Sequence, residues 1–546
     1  MRREALCFAL LGARVPKGVA VYRQILDPLL GSLGWSALAA SLPLLVLFAL
    51  LGIVRMTAWK ASLIALVVSV LVAVLVYPMP VDQALLSATL GAAFGFFPIL
   101  WIVINAIWIH NMTVASGHFD VLQRSFSRIS GDRRIQAVII AFCFGALLEA
   151  LAGFGTPVAI TTVMLLALGF SPVTSAVVSL VSNTAPVAFG ALAAPLVTLA
   201  SVSGLPLGQL GAMTGRQTPV LALFVPLVLV GIIDGFRGVR QTLPATLVCG
   251  LSFAAVQFAA ANFVSVPLTD IIAALASAGA TVVLLRVWTP PGTSTLPEPD
   301  ERGEVFRAYL PYLIIIVVFV VAQLGPVAGV LDKVTLKFHW PGLHVLDPAG
   351  KPVSLVEFNF NWLTNAGTLL LIAGLLTIPA IGVPPRVAAA RYGGTYVQLK
   401  WPIVTVMSVL AIAYVMNTSG QTATLGTWMA AIGGLFALVS PVLGWLGTAV
   451  TGSDTSSNSL FGALQVTAAH RAGIDPLLAA AANGSGGVLG KMISPQNLAI
   501  AAGAVGMTGR EGDIFRRVLP WSLAFLFLMC VLVYLQSLPV LGWMVV

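Results

Sequence analysis

Charged side chains are what this sequence has least of. Asp, Glu, Lys and Arg together make up 9% of its 546 residues, against 58% hydrophobic residues. A soluble chain would need about a quarter of its residues charged to cover its surface. Cysteine is also sparse. Cys7, Cys143, Cys249 and Cys530 are scattered, with neither metal-ligand spacing nor a paired pattern, which argues against a zinc module or a disulfide framework. Catalytic signatures are missing too: no Walker A, no Gly-x-Ser-x-Gly elbow, no His-Glu-x-x-His and no dinucleotide-binding glycine pattern in context. The chain therefore does not read as an enzyme. Without an ATPase module, an ion gradient or downhill flux must drive whatever it does.

Long apolar runs take the place of charge. Stretches such as 35–54, 61–77, 220–233 with its flanks, 310–324 with its flanks and 520–535 approach or exceed the roughly 20 helical residues that cross a bilayer core. They are apolar on every face, which excludes the alternating pattern of a β-barrel strand. The expected fold is all-α: a polytopic integral membrane protein with about 12–14 membrane-embedded helical segments. The net charge of +9 fits loops rich in Lys and Arg on the cytoplasmic side better than nucleic acid. Arg55 and Lys60, the group Arg124, Arg128, Arg133 and Arg134, and the pair Arg237 and Arg240 all fall inside if residue 35 begins outside. Arg2, Arg3, Arg14, Lys17 and Arg23 then conflict with that rule, and the apolar run 5–13 is short for a signal peptide.

Four segments follow: an N-terminal segment 1–34, a first membrane half 35–288, a polar linker 289–307 and a second membrane half 308–546. An external loop at about 331–360 carries His339 and His344, read as solvated loop histidines. The halves look like two repeats. Asn183, Gly190 and Pro195 recur as Asn483, Gly490 and Pro495, offset by 300 residues. A Gly-x-x-Pro turn precedes each (Gly169 to Pro172, Gly473 to Pro476). Further upstream lies a polar break, at Gly153 to Thr156 in one copy and Gly452 to Thr455 in the other. Interrupted or re-entrant helices in repeats are where transporters place their substrate.

A non-helical break inside lipid needs a cavity or protein to satisfy its backbone. The nine residues 451–459 (TGSDTSSNS) are the strongest such signal, with the alternative of an ordinary loop. Hydroxyls and helix-terminal N–H groups there suit a small carboxylate. Glu149 lies in an apolar run just before Gly153, where low dielectric favours the neutral acid that a proton carrier needs. Asp454 carries the same argument and could instead coordinate Na⁺. Lys491, the lone cation of 477–504, could neutralise a substrate carboxylate, pair with Glu149 or Asp454, or snorkel to an interface. Arg216 reads as a loop residue first, and His110 and His118 as interfacial histidines.

At these residues the sequence resembles a known family. The segments 144–160 (FGALLEALAGFGTPVAI), 183–191 (NTAPVAFGA), 446–465 (LGTAVTGSDTSSNSLFGALQ) and 491–496 (KMISPQ) are similar to the signature segments of the bacterial L-lactate permease family. The resemblance runs from about residue 27 to the C-terminus and is weakest in the linker and the external loop. It implies a multi-pass secondary carrier of the cytoplasmic (inner) membrane, taking up lactate and in some members glycolate by proton symport. It also implies kinship with the ion-transporter superfamily, with paired re-entrant hairpins and an elevator-like transport domain. Ser182 to Thr184 resembles the hairpin tips of that superfamily, with Asp454 to Ser456 as its counterpart, a pairing that competes with Asn183 and Asn483.

The expected site follows. Glu149 or Asp454 takes the coupled proton. The substrate carboxylate sits among Gly153, Phe154, Gly155 and Thr156 on one side and Ser453, Thr455, Ser456, Ser457 and Asn458 on the other, with Lys491 near. Asn183, Asn483 or Gln496 reads the 2-hydroxyl, and Thr184 adjoins it. No cofactor or metal is expected beyond the coupling ion, with Na⁺ as the alternative to the proton. A Na⁺-coupled carrier of a related anion and a monocarboxylate channel are the rival functions. The expected partners are a small monocarboxylate, L-lactate with D-lactate and glycolate as options, and the lipid bilayer. No nucleic acid is expected, and the oligomeric state is left open, a homodimer being one option.

Overall fold

The computed structural model describes residues 21–546 apart from 55, 128, 152, 154, 289, 291–300, 508 and 509. The first 20 residues, Arg55, Arg128, Phe154 and most of the linker therefore lie outside the described residues. Apolar runs become helices because each backbone N–H and C=O in lipid must be satisfied within its own segment. Among the described residues, ten helices are long and apolar enough to cross a membrane. The pair Pro172–Ser182 and Val187–Ser203, bent by 63°, is a broken span or a re-entrant loop, and Thr156–Ala167 and Ala366–Ala380 are shorter apolar helices. The fold is all-α and polytopic, as expected.

The small extended elements pair with one another. Tyr22–Arg23 pairs parallel with Val345–Leu346, and Leu336–His339 pairs antiparallel with Glu357–Phe360. The Tyr22 hydroxyl donates to the carbonyls of Tyr77 and Ser419, and Gln83 holds the loop through Gly342 and His344. Arginines gather elsewhere. Arg134 pairs with Asp132 and Asp234, and Arg133 covers the ring of Phe170 beside the Gly169 turn. Two of the basic segments assigned to the inside thus meet in space.

The repeated order of elements is present. In the first half, the span Arg133–Leu151 breaks around Gly153, and Thr156–Ala167 turns at Gly169 into Pro172–Ser182. A second break then precedes Gly190–Ser203. In the second half, Phe436–Thr451 breaks at Gly452 and Asp454–Ala472 turns at Gly473 into Pro476–Lys491. A second break, at 492–494, precedes Pro495–Ala504.

Two expectations need correction. Asn483 does not lead a break, because the helix Pro476–Lys491 runs through it. Its glycines serve close helix packing. A Cβ on Gly486 would come within 2.6 Å of the Pro441 Cα, and one on Gly490 within 2.8 Å of the Ala449 nitrogen. Small residues are how membrane helices approach one another. Likewise the polar run 451–459 is not unwound along its length. Only Gly452, at φ +77°, and Ser453 leave the helix, and Asp454 to Ser459 form its next, buried turns. The Ser453 hydroxyl caps that helix by accepting from the Ser456 N–H at 3.3 Å.

The facing glycine makes a prediction. A Cβ on Gly444 would lie 2.9 Å from the Asn483 Cα. Gly444→Ala is expected to cost about 3 kcal/mol by overpacking, read as a lower melting temperature of the detergent-solubilised protein. An unchanged melting temperature would contradict this packing.

Candidate functional site

The first break presents a carboxylate. Gly153 and Gly155 have φ of +47° and +84°, which only glycine adopts without strain, and Glu149 stands in the last turn before them. Opposite, Gly190 lets the chain pass against that carboxyl, since a Cβ there would lie 2.8 Å from Glu149 Oε1. Ala191, Leu192 and Ala193 follow with φ of 44°, 52° and 61°. Three consecutive left-handed non-glycine residues cost about 1–2 kcal/mol each. Strain of this kind is held at functional sites by the packing around them.

The second half supplies the counter-charge. Lys491 ends the helix Pro476–Lys491, and its Nζ lies 2.5 Å from Glu149 Oε1. The two side chains are 8% and 3% exposed, so this is a buried ion pair joining the repeats. The Asn183 amide donates to the other oxygen, Oε2, at 2.9 Å. Asp454 is buried nearby and, among the described residues, accepts long bonds, 3.4 Å each, from the Thr448 hydroxyl and the Asn458 amide.

Glu149, Lys491 and Asp454 border a cavity of about 1080 Å³. Of the residues expected from sequence, Glu149, Gly153, Ser453, Asp454, Thr455, Ser456, Lys491 and Gln496 line it. Others stand behind the lining. Gly155 and Thr156 start the next helix, and a Cβ on Gly155 would meet Ile500 and Asn497. The Thr184 hydroxyl donates to the Val181 carbonyl, and that of Ser457 to the Gly444 carbonyl. The Asn458 amide also donates to the Pro195 carbonyl at 3.1 Å, while its oxygen accepts from Asn483. The Asn483 oxygen in turn accepts from Gln465. Asn458 and Asn483 therefore knit the second repeat together, and Asn458 ties it to the first.

Sequence reasoning missed several neighbours. Gly190 carries a sequence signal only as a repeat marker and as part of the segment 183–191. Trp59 and Trp401, whose rings stack at 4.5 Å on the cavity wall, carried no local signal. Asp270 did carry one, being a carboxyl within an apolar run like Glu149. The remaining candidates are engaged elsewhere. Arg216 donates to Asn262 and the Met544 carbonyl, the His110 ring packs on Phe119, and His118 meets Ser116. In the loop, His339 pairs with Glu357 at 3.4 Å, and partial burial followed by His339 lowers the pKa of His344. Among the described residues no three His, Cys, Asp or Glu side chains group to hold a metal.

Known proteins resemble this chain along its length. The family described as L-lactate permease matches residues 36–540. The L-lactate permease of Bacillus subtilis is 40% identical over 562 residues, covering 96% of this chain and all of that one. Glycolate permease GlcA of Escherichia coli K12 is 40% identical over 560 residues with the same coverage. Among solved structures, MtrF of Neisseria gonorrhoeae aligns over 84% of each chain, with TM-score 0.44 and 14% identity.

Proposed function

The chain belongs to the L-lactate permease family, and from that premise we propose that it imports L-lactate by proton symport, with D-lactate and glycolate as further substrates. It is a multi-pass carrier of the cytoplasmic membrane rather than an enzyme, and the proton is its coupling ion. The observation that supports the coupling is the buried pair of Glu149 and Lys491 at the cavity.

Charge balance provides the mechanism. At rest the ammonium and the carboxylate cancel. A lactate anion entering alone would leave one uncompensated negative charge in low dielectric, which is strongly unfavourable. A proton on Glu149 frees Lys491, whose ammonium then holds the substrate carboxylate. The loaded site is neutral again, so anion and proton travel together. The N-terminus of the helix beginning at Asp454 and the Thr455 and Ser456 hydroxyls complete the anion's surroundings. Gln496, which lines the cavity, reads the 2-hydroxyl, and Asp454 is the alternative proton site.

The test is Glu149→Gln in proteoliposomes. The expected result is loss of pH-driven accumulation of labelled L-lactate with counterflow exchange retained. Accumulation equal to the wild type would remove Glu149 from the coupling. Uptake driven by a Na⁺ jump but not a pH jump would favour the Na⁺-coupled carrier, and absence of counterflow would favour a channel.

A further inference from the structure

Asp270 is a carboxyl that this cycle does not use. It stands in the first turn of the helix Thr269–Val287 and is 0% exposed. Its Oδ1 accepts from Gln257 Nε2 at 2.8 Å, its Oδ2 has no hydrogen-bond partner, and no cation pairs with it among the described residues. Gln257 is itself connected in two directions. Its oxygen accepts from the Thr218 hydroxyl at 3.3 Å, and its amide also reaches the Ala185 carbonyl at 3.3 Å. Ala185 lies in the second break of the first half, two residues from Asn183, whose amide holds Glu149. The helix of Asp270 packs directly on Gly145–Leu151, which carries Glu149.

A merely structural role would be filled at lower cost by asparagine or an apolar residue. A carboxylate buried without a cation is costly, and ionisable groups inside a membrane protein persist where function uses them. We propose that Asp270 is a second proton-exchanging carboxyl, and that its charge sets the pH at which Glu149 takes up the coupled proton. Among the described residues, the titratable groups on the elements packed against its helix are Glu149, Cys143 and Cys249, with Asp234, Arg237 and Arg240 more than twenty residues before the end of Thr218–Phe263 that adjoins Asp270. The two thiols gather at Ser277, two turns away, whereas Glu149 stands on the helix Gly145–Leu151 that packs against the helix of Asp270. Ionisation of Asp270 releases one H⁺ and leaves a negative charge, which favours the proton on Glu149. The inference rests on the symport reading.

The experiment is the initial rate of L-lactate uptake into proteoliposomes against external pH, for wild type and Asp270→Asn, with counterflow exchange as the check on folding and binding. The midpoint of the variant is expected to move toward acid by ~1 pH unit, since a neighbouring negative charge has been removed. If Asp270→Asn does not fold, Gln257→Leu keeps the carboxyl but removes its one hydrogen-bond donor and is expected to move the midpoint the same way. A lowered rate with an unmoved midpoint, or a superimposable profile, would overturn the inference alone. A wild-type profile flat in pH would overturn the symport reading and this inference with it.

Discussion

Lys491→Ala is expected to abolish both pH-driven uptake and counterflow exchange, the largest loss of any single substitution at the cavity. Lys491 is the one cation lining it among the described residues, so the variant has nothing to offer the substrate carboxylate. It also leaves Glu149 buried with, among the described residues, the Asn183 amide as its remaining hydrogen-bond donor. Breaking a buried ion pair from one side costs about 3–5 kcal/mol, so the melting temperature is expected to fall as well. The double variant Glu149→Gln with Lys491→Ala separates the two effects. With no orphaned charge left it is expected to regain much of the stability while remaining unable to exchange lactate. Exchange surviving in Lys491→Ala would sink the anion-binding role, whatever the stability showed.

Gly190→Val is expected to disable transport without touching a charged residue. Its backbone is extended, at φ −61° and ψ 154°, which valine adopts readily. The effect must therefore come from space. The new Cβ would sit 2.8 Å from Glu149 Oε1 and 3.3 Å from its Cγ, on the oxygen that meets Lys491. Displacing that oxygen forfeits a charge-assisted hydrogen bond worth about 1.5–3 kcal/mol, or roughly 10–150-fold in coupled uptake. Gly153→Val makes the contrast, because there φ of +47° strains any side chain and folding itself should suffer. Measuring folded yield and uptake together checks the pair. Gly190→Val with normal uptake would mean that the carboxylate need not stay where it is.

Much of the candidate site is legible in the sequence because burial in lipid is expensive for polar groups. Glu149, Asp454 and Lys491 stood out in apolar surroundings for that reason, and all three line one cavity. Gly153 and Gly452 stood out as interruptions, and both take left-handed backbone. Composition alone does not separate the two uses that one residue type can serve. The glycines after Asn483 looked like a break and are a packing face, since small size permits either use. The hydroxyls after Gly452 looked unwound and form a buried helical turn, since Ser453 caps the helix they begin.

The sequence alone determined that this chain is an all-helical membrane protein with polar interruptions in each half, because the bilayer leaves few ways to satisfy a backbone and few places for charge. Which charges meet was decided only by the tertiary structure. Glu149 and Lys491 are 342 residues apart, and no local pattern distinguishes that pairing from Lys491 with Asp454. Packing of one repeat against the other brings the two together at the cavity.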